Sequence, residues 1–384
     1  MNWNNFKKNK AISGIFTIGI GNVVGGTITS LFWLFLAGII ETESYGQLSY
    51  FLAIMGITSV AASFGGSFTM QVYVSKGLKI ESALYFISII TNLIGATILF
   101  FMFKDIGLSL LVISTSILNL YIVELIGKKL FSKHSKIYII QKLLFVGLAL
   151  LFFSIFGFEG ILIGFALSNF IFIKHVIGIF RNEKPDFTLF KEKKKIIVSN
   201  YLSNLVSTTR NHIDELLTVP LFGLSFLGNY FLGLQIVGLM YILPSIVVKY
   251  TLSEDSRQNS TLKVKGITIL SSIIVSVLGA LIIPELLPIF LPKFTETVML
   301  IPILCLAAIP RTITLMLMSS FLAKEKNFHV PIGHIISITI MVIGILISFQ
   351  LSSETGIAYS YVFGMSGSAV YLSIVAWKQK IMKT

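Results

Sequence analysis

The chain has 384 residues, 55% of them hydrophobic and only 12% charged, with a mean hydropathy of +0.88. Soluble domains carry about 25% charged residues, so this composition excludes a water-soluble globular protein and specifies one that lives in a bilayer. The net charge of +13 could suggest nucleic acid, but its distribution along the chain assigns it to membrane topology and to attraction for anionic lipid.

About 20 apolar residues cross the hydrocarbon core as a helix. Ala11–Ile40 contains no charged residue, and neither does Ser44–Ser75. Lys7, Lys8 and Lys10 ahead of the first run imitate a signal peptide. The run is longer than the roughly 7–15 residues of a signal-peptide core, so it reads as an uncleaved first span. Apolar windows predict twelve crossings, near 12–39, 46–73, 82–103, 106–126, 137–156, 159–179, 196–222, 226–250, 266–288, 297–322, 330–350 and 356–376. With the N-terminus inside, 24 of the 30 Lys and Arg residues fall in inner segments, against Lys104 and Lys293 outside. Glu41, Glu43, Asp105, Glu159, Glu285, Glu296 and Glu354 lie outside as well. One missed span would scramble every later loop, so this asymmetry predicts a multi-pass protein of the cytoplasmic membrane with both termini cytoplasmic.

The basic linker 181–195 divides the chain into six spans before it, 1–180, and six after it, 196–384. An even number per half makes any repeat parallel, about an axis along the membrane normal. Ser44–Leu52 can be laid on Phe226–Leu234 at an offset of 182, which also places Asn22 on Asn204 and Thr29 on Asn211.

The seventh predicted span is the unusual one, because it carries Arg210, Asp214 and Glu215 near its middle. A charge at bilayer depth costs at least about 2.5 kcal/mol, so these groups must face protein or a wet cavity. Asn200, Asn204, Ser207, Asn211, Asp214 and Thr218 recur at intervals of 4, 3, 4, 3 and 4, which is one helical face. That face could be hydrogen-bonding glue between helices, with Arg210 paired to Asp214 at i,i+4. Four stacked turns exceed what one helix contact needs, which favours a hydrated cavity. Arg311, straight after Pro310, lies ~20 Å by helical rise from the outer end of span ten and is expected to face the interior. Lys142, Lys174 and Glu124 sit near inner helix ends, where they either reach the interface or add charge to an inner vestibule. His212 adjoins the charged cluster, whereas His334 and Cys305 read as packing residues. No Walker loop, HExxH, CxxC or paired-acid motif is present, and the outer loops are short. Neither an enzyme nor a cofactor or metal site is expected.

Leu36–Gly77, with Tyr45-Gly46 at the start of span two and Phe64-Gly65-Gly66 near its end, resembles the first signature of the polysaccharide-export flippases. Asp214, followed by Gly228, Asn229 and Tyr230, is similar to that family's unit across spans seven and eight. With the six-plus-six plan, the resemblance covers the whole chain. It implies the multidrug/oligosaccharidyl-lipid/polysaccharide (MOP) exporter superfamily: an all-α polytopic protein whose two six-helix bundles form a V and alternate access between the two sides.

The function the resemblance implies is a flippase that carries a polyprenyl-phosphate-linked oligosaccharide outward. Arg210 and Arg311 would take the phosphate, and Asn204, Asn211 and Asn22 would meet sugar hydroxyls. Asp214 and Glu215 would balance charge or bind a coupling ion, H⁺ or Na⁺. Membrane lipids and the glycosyltransferases or polymerase of the same pathway are the implied partners, with no role for nucleic acid. The alternatives are a cation-coupled small-molecule exporter of the same fold and a non-transporting subunit of a glycan-assembly complex. Spans one and two hold no Arg or Lys to reinforce the cationic site, and no acidic residue at depth.

Overall fold

Hydrocarbon offers no water to bond the backbone, so each crossing segment must satisfy its own amides, and a helix does this within one segment. The computed structural model describes residues 10–64, 66–255, 260–324, 326, 328–379 and 381. Among them the chain is helical, with no strand. In chain order the helices are α1 (Lys10–Ile39), α2 (Thr42–Ala62), α3 (Gly66–Ser75), α4 (Glu81–Phe103), α5 (Ile106–Gly127) and α6 (Phe131–Phe156). Next come α7 (Phe158–Asn169), α8 (Ile173–Asn182), α9 (Thr188–Glu192), α10 (Lys194–Phe222), α11 (Leu224–Met240) and α12 (Ile242–Asp255). The last five are α13 (Leu262–Phe290), α14 (Thr295–Leu306), α15 (Ala308–Ala323), α16 (His329–Gln350) and α17 (Thr355–Lys378).

Nine continuous segments among the described residues are long and apolar enough to cross a membrane, and two bent pairs raise the number to eleven. The pairs are α7 with α8, bent by 41°, and α11 with α12, bent by 45°. The remaining expected span is α10, whose 29 residues suffice in length. Its charged and amide side chains keep it less apolar than the others. The protein is therefore a multi-pass membrane protein with about twelve spans.

Two further expected spans are interrupted where the sequence carries small residues or proline. Span two breaks between α2 and α3 at Phe64, which takes a left-handed φ of 44°. The Phe64 ring stacks on Tyr201 with 5.4 Å between centroids. Span ten breaks at Ala307, three residues before Pro310. Ser276 donates to the Cys305 carbonyl and Ser272 to the Ala308 carbonyl, so α13 supplies donors on both sides of the break. Gly65, Lys7, Lys8, Arg257, Lys380 and Lys383, all used in the sequence reading, lie outside the described residues.

The helices form two compact units. One, called here the arginine unit, is built mainly from Ser30–Ala53 and Thr209–Thr384; the other, the linker unit, from Ile20–Thr29 and Ile54–Thr208. In the linker unit, Met70, Tyr73, Leu84, Tyr85 and Leu120 are the centre of an apolar core. A polar clasp joins three of its helices: Gln141 of α6 donates to Ser168 (3.2 Å) and Asn169 (2.7 Å) of α7, and Asn169 donates to Ser114 and Thr115 of α5. Apolar helices gain no hydrophobic energy from meeting one another in lipid, so such hydrogen bonds and small-residue contacts specify who packs with whom.

The closest small-residue contact lies in the arginine unit, where α2 crosses α11. A Cβ on Gly46 would fall within 3.0 Å of the Leu224 carbonyl and the Gly228 nitrogen, and a Cβ on Gly228 would fall as close to the Thr42 carbonyl. Gly46 and Gly228 are 182 residues apart, and so are Thr42 and Leu224. The contact is thus reciprocal at the same offset that aligned the two segments by sequence. Reciprocity of this kind is what a two-fold relation imposes, and it supports the internal repeat. Because the obstructing atoms are backbone, neither helix can yield cheaply. Gly46→Ala or Gly228→Ala is expected to lower stability by about 1–3 kcal/mol. Gly147→Ala, whose Cβ would meet nothing within 4 Å, should not lower it; thermal unfolding in detergent checks the contrast.

Candidate functional site

The charged cluster expected on span seven is real and internal. On α10, Arg210 is 6% exposed, Asp214 1% and Glu215 6%. The i,i+4 ion pair that the spacing permits is not made, because the Asp214 carboxylate turns to α11 instead. Tyr230 donates to Asp214 Oδ2 over 2.6 Å, while Asp214 Oδ1 is buried with no hydrogen-bond partner. Glu215 has its own partner one turn away, His212 Nδ1 at 3.5 Å.

Arg210 points toward α17. Its Nη2 contacts the Met365 sulfur, its Nη1 lies 3.4 Å from Asn211 Oδ1, and its Nε is buried with no partner. Arg311, on α15, places its guanidinium carbon 4.1 Å from the centroid of the Tyr241 ring and donates to the Tyr361 hydroxyl over 3.2 Å. A guanidinium over an aromatic face gains a cation–π attraction, which holds the charge without neutralising it. Neither arginine has a carboxylate within 4.0 Å among the described residues.

Tyrosines link these groups. Tyr230 packs edge-on against Tyr361 with centroids 6.4 Å apart, so Asp214, Tyr230, Tyr361, Arg311 and Tyr241 form one connected chain. Arg210 and Arg311 act on each other electrostatically, and Asp214 acts on Arg210. The arrangement is a buried, partly unsatisfied constellation with two guanidiniums to one nearby carboxylate. It is suited to receive an anion, because an uncompensated buried cation recovers its lost solvation from a charged partner.

The structure brings Arg210, Arg311, Asn211, Asp214 and Glu215 together in the arginine unit. Asn204 and Asn22, both half-buried, belong to the linker unit. So do Lys142, Lys174 and Glu124. Lys142 lies over the Tyr138 and Phe165 rings at 5.3 and 5.9 Å, held by aromatics rather than by a carboxylate. Glu124 does not face an open vestibule: it is fully buried. It accepts hydrogen bonds from Tyr85 (2.9 Å) and Lys128 (2.6 Å), and His175 Nε2 lies 3.0 Å away. It is an anchor between α4, α5 and α8. Lys174 is exposed. Sequence reasoning did not select Tyr230, Tyr241, Tyr361 or Met365 as site residues. Tyr241 stands at the bend between α11 and α12, and Pro244, three residues on, was the available signal.

No protein-family model and no curated protein matches the chain. Solved structures do. An inward-facing multidrug-resistance MATE family transporter of the MOP superfamily superposes with a TM-score of 0.71 at 15% identity, covering 96% of both chains. The fold is that of the MATE transporters. A MATE protein solved in complex with MaL6 gives 0.68 at 14% identity, covering 97% of each chain. A MOP superfamily transporter from Pyrococcus furiosus, described as having a binding pocket of reverse polarity, gives 0.65 at 16% identity over 97% of this chain and 96% of its own.

If the tyrosine chain holds the carboxylate in place, Tyr230→Phe leaves Asp214 buried with neither oxygen bonded, a loss of about 1–3 kcal/mol. Tyr361→Phe, which removes a bond from a guanidinium that keeps its ring contact, should cost less. Thermal melts of the two purified variants compare them directly.

Proposed function

We propose that this protein is a membrane exporter of MATE fold that moves a small amphipathic molecule bearing negative charge, with a cation coupled at Asp214. The observation that carries the reading is the pair of interior guanidiniums, Arg210 and Arg311, with no carboxylate partner within 4.0 Å among the described residues. The multidrug-transport names of solved neighbours support the exporter over the lipid-linked oligosaccharide flippase that the sequence resemblance suggested. In this reading the chain has two six-helix halves, 1–180 and 196–384, joined by 181–195. Both ends lie on the cytoplasmic side of the cell membrane, as the distribution of Lys and Arg supports.

The chemistry follows from charge. With Asp214 ionised, one of the two cations is offset. With Asp214 protonated, both stand uncompensated and attract an anion more strongly. Proton and anion therefore reinforce each other's binding, and the reinforcement is reciprocal, so the two move together as co-substrates rather than in exchange. Tyr230 keeps the carboxylate oriented, and the open Oδ1 is where the proton or a small cation is taken up. Tyr241, Tyr361 and Met365, buried around the guanidiniums, would meet the apolar part of the substrate.

A second reading rests on the same pair: the guanidiniums would hold the phosphate of a lipid-linked oligosaccharide, with Asn204, Asn211 and Asn22 toward the sugars. Glycosyltransferases or a polymerase would then act beside it. Reconstituted vesicles separate the two. An anionic fluorescent amphiphile should be transported and a labelled polyprenyl-phosphate-linked sugar should not; the reverse result selects the flippase.

Arg210→Gln and Arg311→Gln should each reduce transport of the anionic amphiphile about tenfold or more, since a hydrogen bond to a charged group contributes about 1.5–3 kcal/mol. Equal transport by wild type and the double variant would remove the pair from the mechanism. For wild type, binding of the same amphiphile should tighten as pH falls, because protonation of Asp214 removes the negative charge nearest the two guanidiniums. Asp214→Asn should bind tightly at every pH, and titration calorimetry across pH reads both.

A further inference from the structure

A polar concavity lies in the linker unit, between the start of α4, the end of α5 and the length of α8. It encloses about 400 Å³ and is lined by Glu81, Lys128, Lys174, His175, Asn182 and Glu183, among others. Small-molecule sites span about 300–1,000 Å³, so this one suits a headgroup rather than a large ligand.

Its charge is settled by counting partners. Lys128 bridges Glu81 at 3.3 Å and Glu124 at 2.6 Å, and Glu183 takes Lys79 at 2.7 Å. His175 Nε2 also lies 3.0 Å from Glu124. Every acidic group at the concavity therefore already has a cation. Lys174 has no carboxylate within 4.0 Å among the described residues, which leaves its ammonium free to meet a phosphate. Lys174, Gly178 and Asn182 are spaced four apart on α8 and share one face. Gly178 keeps that face open, since a Cβ there would meet nothing within 4 Å.

The flanks are apolar and exposed. Ile173 and Ile177 of α8 are 43% and 59% exposed, and Phe86 and Ile90 of α4 are 41% and 43%. In a membrane protein such surface faces acyl chains. Beyond α8, the linker residues Lys191, Lys193, Lys194 and Lys195 are exposed, so the cationic end of this unit extends past the concavity. A recess with a lysine unpaired by any carboxylate, beside lipid-facing helices and a basic linker, is an arrangement that binds an acidic lipid headgroup.

We propose that this recess binds the headgroup of an anionic phospholipid, its phosphate on Lys174 and its chains along α4 and α8. The site is separate from the arginine constellation and does not depend on the transport reading.

The test uses the full chain, delipidated in neutral detergent, and follows retention of phosphatidylglycerol by native mass spectrometry. Phosphatidylcholine and inorganic phosphate serve as comparison arms. Wild type should retain phosphatidylglycerol over phosphatidylcholine. Lys174→Gln should weaken that retention about fivefold, the effect of one lysine near a charged headgroup. Gly178→Leu should abolish it by filling the recess. Gly178→Ala, which fits the open space, should retain lipid and shows that substitution at this position is compatible with the fold. Equal retention by wild type, Lys174→Gln and Gly178→Leu would overturn the proposal. So would retention of phosphatidylcholine equal to that of phosphatidylglycerol, or displacement of the lipid by millimolar inorganic phosphate, which would mark a free-anion site.

Discussion

The crossing of α2 and α11 through Gly46 and Gly228 fixes the part of the molecule on which the charged site depends. Without side chains at either position, two backbones approach so closely that a methyl group on either glycine would strike a carbonyl. The residues straight after Gly228 are then held in register. Asn229 donates to Glu296 (3.0 Å) and accepts from the Thr297 amide (3.2 Å), which ties α11 to the start of α14. Tyr230, next in line, reaches Asp214 on α10. A shift of one residue at the crossing would turn Tyr230 away and leave that carboxylate with no donor. The position of a buried charge is thus set by two absent side chains some distance from it.

The constellation so placed is stabilised by polarity that stops short of neutrality. Hydroxyls, a sulfur and aromatic faces surround the guanidiniums, while the carboxylate that could have closed an ion pair is held by a tyrosine. An interior ion pair satisfied on all sides would have nothing left to offer a ligand. Glu124, in the linker unit, shows the opposite solution: fully buried, bonded to Tyr85 and Lys128 and beside His175, it fastens three helices together and presents no surface. Both are ionisable groups in apolar spans, and the number of partners separates them.

What could be read from the sequence follows the strength of the physical penalty. Charge in hydrocarbon is costly enough that Arg210, Asp214, Glu215 and Arg311 announced an interior, and the expectation of twelve spans agrees with the about twelve in the structure. The interruption of span ten had its signal in Pro302 and Pro310, whereas span two read as a single crossing and its break at Phe64 was not anticipated. Tyr230, Tyr241, Tyr361 and Met365 were not legible as site residues, since an aromatic or methionine in an apolar helix costs nothing whether it faces lipid, core or ligand. The ion pair between Arg210 and Asp214 was suggested by spacing and lost to a tyrosine from another helix, a competition that one helix's periodicity does not register. Asn204 was grouped with the arginines by the polar face of span seven and Asn22 by the repeat; both fall in the linker unit.

The chain's single thiol has a practical consequence. Cys305 has no exposed surface and is packed under α13, one of whose serines bonds its carbonyl. Maleimides and spin-label reagents in the surrounding solution have no route to that sulfur while the fold is intact. The natural protein therefore behaves as its own unreactive background, and a cysteine introduced at any accessible position would report alone.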